Sequence, residues 1–107
     1  MIVTLFAFSC IKPEEPPPNV IPKDTMTQVL IDIHLAEAKV AVRNLSPDTA
    51  QMLYEIHKRK IYQDYKISPE RFKESFDFYS RNLNEMDKIY EAVVDSLSLR
   101  EGTGRLE

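Results

Sequence analysis

Glycine is nearly missing from this chain: only Gly102 and Gly104 are present, both at the C-terminal end. Tight hairpins, phosphate-cradling loops and dinucleotide-binding turns draw on glycine for positive φ or close backbone approach. A body without it excludes those devices in standard form and suits long helices joined by short turns. Cysteine is scarcer still. Cys10 stands alone, so no internal disulfide staples the fold. The roughly 80 residues that follow the N-terminal segment must hold together by packing, near the lower end of what folds unaided. There is no excess of positive charge: 14 basic residues face 17 acidic ones, a net charge of −3. Nucleic-acid binding relies on a basic surface to displace phosphate counterions, so no nucleic-acid partner is expected. What the chain does have is a 43% hydrophobic fraction, too high for a disordered protein.

The N-terminus reads as an address. Residues 2–9 are Ile-Val-Thr-Leu-Phe-Ala-Phe-Ser, without charge, and Cys10 follows where the hydrophobicity stops. The run is far short of the ~20 apolar residues that span a bilayer. An apolar stretch ending in a small residue and cysteine resembles a bacterial lipobox. That resemblance implies a diacylglycerol on the Cys10 thiol and removal of residues 1–9. The segment lacks a basic start, and Ala7 stands three before the cysteine where leucine is usual, so it reads as a truncated signal. Residues 10–22 follow as a lipidated cysteine and tether, with five prolines between 11 and 22. At about 3.1 Å per residue in polyproline II, this tether spans up to roughly 35 Å. Ile11 takes the place of the aspartate that tends to retain lipoproteins in the inner membrane. The expectation is therefore a cell-envelope protein, lipid-anchored to the outer membrane on its periplasmic face or surface.

Punctuation and period give four helices over residues 23–101, with 102–107 a disordered tail. Ser46-Pro47-Asp48 and Ser68-Pro69-Glu70 each set a capping hydroxyl before proline at the first helical position, followed by an acid. Ile21-Pro22-Lys23-Asp24 is a similar start without the hydroxyl. Asn82-Leu83-Asn84-Glu85 is an Asn-x-x-Glu variant of the capping box. The first helix is predicted over Lys23 to Arg43. Met26, Val29, Leu30, Ile33, Ala36 and Val40 form one stripe, and Ile31, Leu35, Ala38 and Val42 a second. Two stripes predict a central helix touched on two sides. The second helix, Pro47 to Tyr65, turns Ala50, Leu53, Tyr54, Ile61 and Tyr65 inward. The third, Pro69 to Arg81, presents Phe72, Phe76 and Tyr79. The fourth, Leu83 to Leu99, carries Met86, Ile89, Tyr90, Val93 and Leu97. Folding back at each turn matches Leu30 with Ile61, Glu37 with Tyr54, Phe76 with Ile89 and Phe72 with Val93. The expected fold is all-α: two antiparallel helical hairpins, packed as a small bundle or with one pair crossing the other steeply.

Val20-Ile21-Pro22-Lys23-Asp24-Thr25-Met26, running into Asp32-Ile33-His34-Leu35-Ala36-Glu37-Ala38, resembles the opening of a bacterial lipoprotein family known as domain of unknown function 4296. Phe72-Lys73-Glu74-Ser75-Phe76, Tyr79-Ser80 and Ile89-Tyr90 resemble that family's second half. The likeness covers most of the chain after Cys10. It implies an envelope lipoprotein of the Bacteroidetes type and assigns no activity to any residue.

Candidate sites are few. Asp32, His34 and Glu37 are the polar residues of an otherwise apolar helix, and His57 falls at the height of His34 in an antiparallel hairpin. Two imidazoles beside carboxylates suit a metal or small ligand. Yet only two histidines exist, and His34-x-x-Glu37 reverses the Glu-x-x-His order of di-iron bundles. Polar contacts that fix helix register are the stronger expectation, and neither a metal nor a cofactor is expected. Phe78 lies off the Phe72–Phe76–Tyr79 stripe and is a candidate contact for the first helix or a partner. The Lys58-Arg59-Lys60 run suits a solvated face or anionic headgroups. No Gly-x-Ser-x-Gly elbow exists, no Ser or Thr has a recognisable base partner, and Cys10 is taken by lipid, so no catalytic residue is assigned. The favoured function is a noncatalytic interaction module that binds another envelope protein through the first or third helix. The alternative is a small-ligand or metal-binding protein using the interior around His34 and His57, and an enzyme of unrecognised type stands third.

Overall fold

The computed structural model describes residues 17–102. The lipobox segment, Cys10 and most of the tether lie outside the described residues, as does the tail from residue 103. Four helices follow in order: α1 (Lys23–Ala41), α2 (Pro47–Tyr65), α3 (Pro69–Arg81) and α4 (Leu83–Gly102). Among the described residues there is no strand, and the fold is a small all-α bundle.

The starts of α2 and α3 follow from their serine-proline pairs. Ser46 Oγ accepts from the Thr49 amide at 3.4 Å and Ser68 Oγ from the Arg71 amide at 3.1 Å. Proline follows each at the first helical position, where no amide hydrogen is needed. The end of α2 shows how a helix stops here without glycine. Lys66 adopts left-handed backbone at φ 56°. Its amide donates to Gln63 O at 3.1 Å, and the Ile67 amide reaches back to Tyr62 O at 2.9 Å. That is a Schellman turn, completed by the usual apolar contact, since Ile67 and Tyr62 are both buried in the core.

Asn82 behaves otherwise than its capping-box spelling predicts. Its side-chain amide donates backward to Phe78 O at 2.8 Å, capping α3, while its carbonyl accepts from the Glu85 and Met86 amides at 3.0 Å each. The Glu85 carboxylate turns away to Lys23 Nζ at 2.7 Å. A tertiary cation has displaced the local partner, and that hydrogen bond holds the Glu85 carboxyl below its ordinary pKa.

The two-stripe reading of α1 holds through its first two-thirds. Met26, Val29, Leu30, Ile31, Ile33 and Leu35 all enter the core, and α1 packs against both α2 and α4. The Lys23–Glu85 contact joins the starts of α1 and α4, so these two helices set off from the same end. Tyr54 bonded to Glu37 sets α2 antiparallel to α1, and α3 packs back on α4. Met86, Ile89 and Val93 supply α4's share of the core. Toward the α1–α2 turn burial falls away: Ala38 and Val42, assigned to the second stripe, are exposed. Tyr90 is exposed as well, at the outer edge of its stripe. On α2 the buried side chain is Tyr62, while Leu53, Tyr54, Ile61 and Tyr65 are half-buried. Tyr62 is drawn inward by Phe72, whose ring centroid lies 5.3 Å away.

The tether ends earlier than its prolines suggest. Val20 and Ile21, placed in the tether by composition, are buried core residues. Proline at position 22 keeps Ile21 extended, and an extended buried peptide must find partners for both its polar groups. Helix α3 supplies them. The Ile21 amide donates to Ser75 Oγ at 2.8 Å, and Tyr79 Oη donates to Ile21 O at 2.6 Å. Ser75 Oγ in turn donates to Arg71 O at 2.6 Å. Two further bonds close the strap: Arg71 Nε to Asn19 O at 3.0 Å and Asn19 Nδ2 to Glu74 Oε2 at 2.8 Å. Residues 17–22 are thus a structural strap across α3, and α3 turns Ser75 and Tyr79 inward while Phe72 and Phe76 are only half-buried.

Candidate functional site

The polar residues of α1 meet α2 through tyrosines. Tyr65 Oη donates to Asp32 Oδ2 at 2.7 Å, and Tyr54 Oη donates to Glu37 Oε1 at 3.2 Å. The other Glu37 oxygen lies 3.5 Å from His34 Nδ1, one turn earlier on the same helix. Lys58 Nζ sits 5.6 Å from the centre of the Tyr54 ring, a cation over an aromatic face. The Glu37–Tyr54 match read from the hairpin register is therefore present. His57 is half-buried on α2 and makes no side-chain hydrogen bond or ion pair among the described residues.

The tyrosines of this seam are hydrogen-bond donors at neutral pH. Burial, and then the Glu37 carboxylate, push the Tyr54 phenol up to about 12. Burial and the hydrogen bond to Asp32 do the same for Tyr65, also to about 12. A phenol that gives up its proton only near that pH is a hydrogen-bond donor at neutrality, not a base. Its acceptor carboxylates are charge-assisted partners. Asp32 and Glu37 therefore serve as acceptors that pin α2 at one height along α1. Among the described residues no three His, Cys, Asp or Glu side chains converge as a metal site would require.

Phe78 lies elsewhere. It packs partly into the core, edge-on to Tyr79 at 5.3 Å between ring centroids. Its outer side lines a shallow cavity of about 300 Å³ between the strap and α3, walled by Pro17, Asn19, Val20, Glu74, Asp77 and Arg81. Phe78 thus lies between the core and the strap.

The residues that the sequence reading passed over lie on the outside. Met52 and Ile56 on α2, and Leu83 and Val94 on α4, are large apolar side chains open to solvent. Their signal was available. Met52 and Ile56 are one turn apart and fall on the side of α2 opposite Tyr54, Ile61 and Tyr65. Among the described residues no helix is long and apolar enough to cross a membrane.

No curated protein and no solved structure matches this chain. A family model does match, over residues 17–102, from the first residue of the strap to the last of α4. The chain belongs to the family described as Domain of unknown function (DUF4296).

Proposed function

We propose that this protein is a noncatalytic interaction module of the bacterial cell envelope, held at the outer membrane by a lipid on Cys10. The binding half of the reading rests on one observation. Met52 and Ile56, 60% and 52% exposed, occupy the face of α2 that points directly away from the core. Large apolar side chains grouped on one uncovered helix face are a common mark of a contact surface. The binding surface is accordingly assigned to α2 and α4, in place of the α1 and α3 surfaces that the sequence pattern suggested. The anchoring half rests on the lipobox resemblance. The folded body, which has no cysteine of its own, leaves the thiol to the segment before the strap.

Two experiments test the two halves. In cells of the native host fed an alkyne fatty acid, the chain should take up label and sediment with outer membranes, and Cys10→Ala should lose both. An unlabelled, soluble wild-type chain would refute the anchor. A photoreactive residue at position 56 should cross-link to a polypeptide in intact envelopes, and one at Glu70, exposed on α3, should not. Equal or absent cross-linking at both positions would refute the α2 surface.

A further inference from the structure

Two uncovered helix faces in this bundle are complementary to each other. On α2, Met52, Ile56, Arg59, Lys60 and Gln63 fall on one side at helical spacing, and all are exposed. On α4, Leu83, Asp87, Tyr90, Glu91 and Val94 do the same, on the flank that borders the buried Met86, Ile89 and Val93. Leu83 is 70% exposed and Val94 56%. The α2 stripe carries two cations, with the exposed carboxylates of Glu55 and Asp64 at its margins, one turn from Arg59 and Lys60. The α4 face carries two carboxylates and no cation. Scattered exposed hydrophobics on a surface need no explanation. Two stripes of equal length, apolar in part and opposite in charge, are a more specific observation.

We infer that α2 of one copy docks against α4 of a second copy of this chain, an inference that rests on the interaction-module reading and names its partner. The steps of four, three and four that lead from Met52 through Ile56 and Arg59 to Gln63 are matched backwards along α4. An antiparallel alignment sets Met52 on Val94, Ile56 on Tyr90, Arg59 on Asp87 and Gln63 on Leu83. Lys60 then lies beside Asp87, with Glu91 a little more than a turn away. A parallel alignment starting from Met52 on Leu83 puts Ile56 against Asp87 and Gln63 against Val94, so it wastes two apolar contacts. Antiparallel pairing gives two apolar contacts and one cation on a carboxylate, with Leu83 alone set against the polar Gln63, and such matched pairs fix register as well as affinity. Because the two faces differ, the contact is heterologous. Each copy leaves one of its faces open, so association continues past two copies into a ring or a line.

The test uses the purified full chain, kept reduced, in sedimentation velocity over a range of protein concentration and salt. The wild-type chain should sediment faster as concentration rises. Association should weaken from about 0.01 to about 1 M salt, as the screening length shrinks from roughly 30 to roughly 3 Å. Arg59→Glu with Lys60→Glu, and separately Asp87→Lys with Glu91→Lys, should each weaken association by about tenfold or more. All four side chains are exposed, so helical content and melting should stay at wild-type values. Mixing the two variants in equal amounts should restore association, since each supplies the charge the other now needs. A wild-type chain monomeric at every concentration overturns the inference, as does a mixture that stays apart. A monomeric chain that still cross-links from position 56 to a different envelope polypeptide removes self-association and leaves the interaction module standing. A monomeric chain whose α2 cations instead bind vesicles of anionic phospholipid assigns that face to lipid and overturns the inference too. No association and no cross-link removes both readings.

Discussion

Replacing Ile21 by alanine separates a structural strap from a flexible tether. Ile21 is fully buried, with its amide and carbonyl both bonded to α3. Truncating an enclosed isoleucine removes three heavy atoms from the core and leaves a cavity, at a cost of about 2–5 kcal/mol. The domain's whole stability is of order 4–13 kcal/mol at roughly 0.05–0.15 kcal/mol per residue. The loss is therefore a large fraction of what holds the bundle together. In urea unfolding followed by circular dichroism, it corresponds to a midpoint lowered by roughly 1–3 M if the slope is unchanged. The exposed Pro17 is the internal control, and Pro17→Ala should stay within about 0.5 kcal/mol of wild type. Tyr79→Phe provides a second reading of the same strap. It removes the 2.6 Å hydrogen bond to Ile21 O and leaves a buried carbonyl without a partner, for about 1–3 kcal/mol. A shift for Ile21→Ala no larger than that of Pro17→Ala would refute the strap. The buried segment would then be no part of the cooperative unit.

Other expectations follow from the same geometry. Lys66→Gly should stabilise the domain, by up to about 1 kcal/mol in thermal melts, because glycine takes left-handed backbone without the steric cost that a lysine Cβ carries. Ser46→Ala and Ser68→Ala should each cost about 1 kcal/mol by loss of the cap to Thr49 or Arg71, and serine to aspartate at either position should retain most of it. Tyr54, Tyr62 and Tyr65 should titrate near 12 rather than at the ordinary 10.0, followed by phenolate absorbance. The sign is set by linkage. Their folded-state pKa values are raised, so their contribution to stability is complete below pH 10 and is lost as pH climbs from about 10 through about 12. Stability that is flat across that window would contradict the buried, carboxylate-facing phenols.

Local chemistry made α2 and α3 readable to the residue, because serine, proline and an acid in succession state a helix start whatever lies around them. The central position of α1 was equally open, since two apolar stripes on one helix demand neighbours on both sides. The Glu37–Tyr54 contact followed from hairpin register alone. What the sequence concealed was decided by distant partners. Proline-rich composition made residues up to 22 look like tether. Only Ser75 and Tyr79, more than 50 positions away, give Ile21 the partners that make its burial possible. Glu85 spells a capping box with Asn82 but is taken by Lys23 from the other hairpin. Tyr62 sits off the predicted inner stripe of α2 and is drawn in by Phe72 across the α2–α3 turn. Of the proposed site residues, Asp32 and Glu37 are spent on tyrosine contacts, and His34 lies beside Glu37. Phe78 faces the strap. Cys10 lies outside the described residues. The uncovered face of α2 could have been found by asking which apolar residues fall opposite its core stripe.

How this helical body is held in place is decided by the intact mass of the chain extracted from its host's membranes. The proposal predicts a polypeptide that begins at Cys10 and carries the added mass of a diacylglyceryl thioether. A chain that retains residues 1–9 with an unmodified thiol would contradict it.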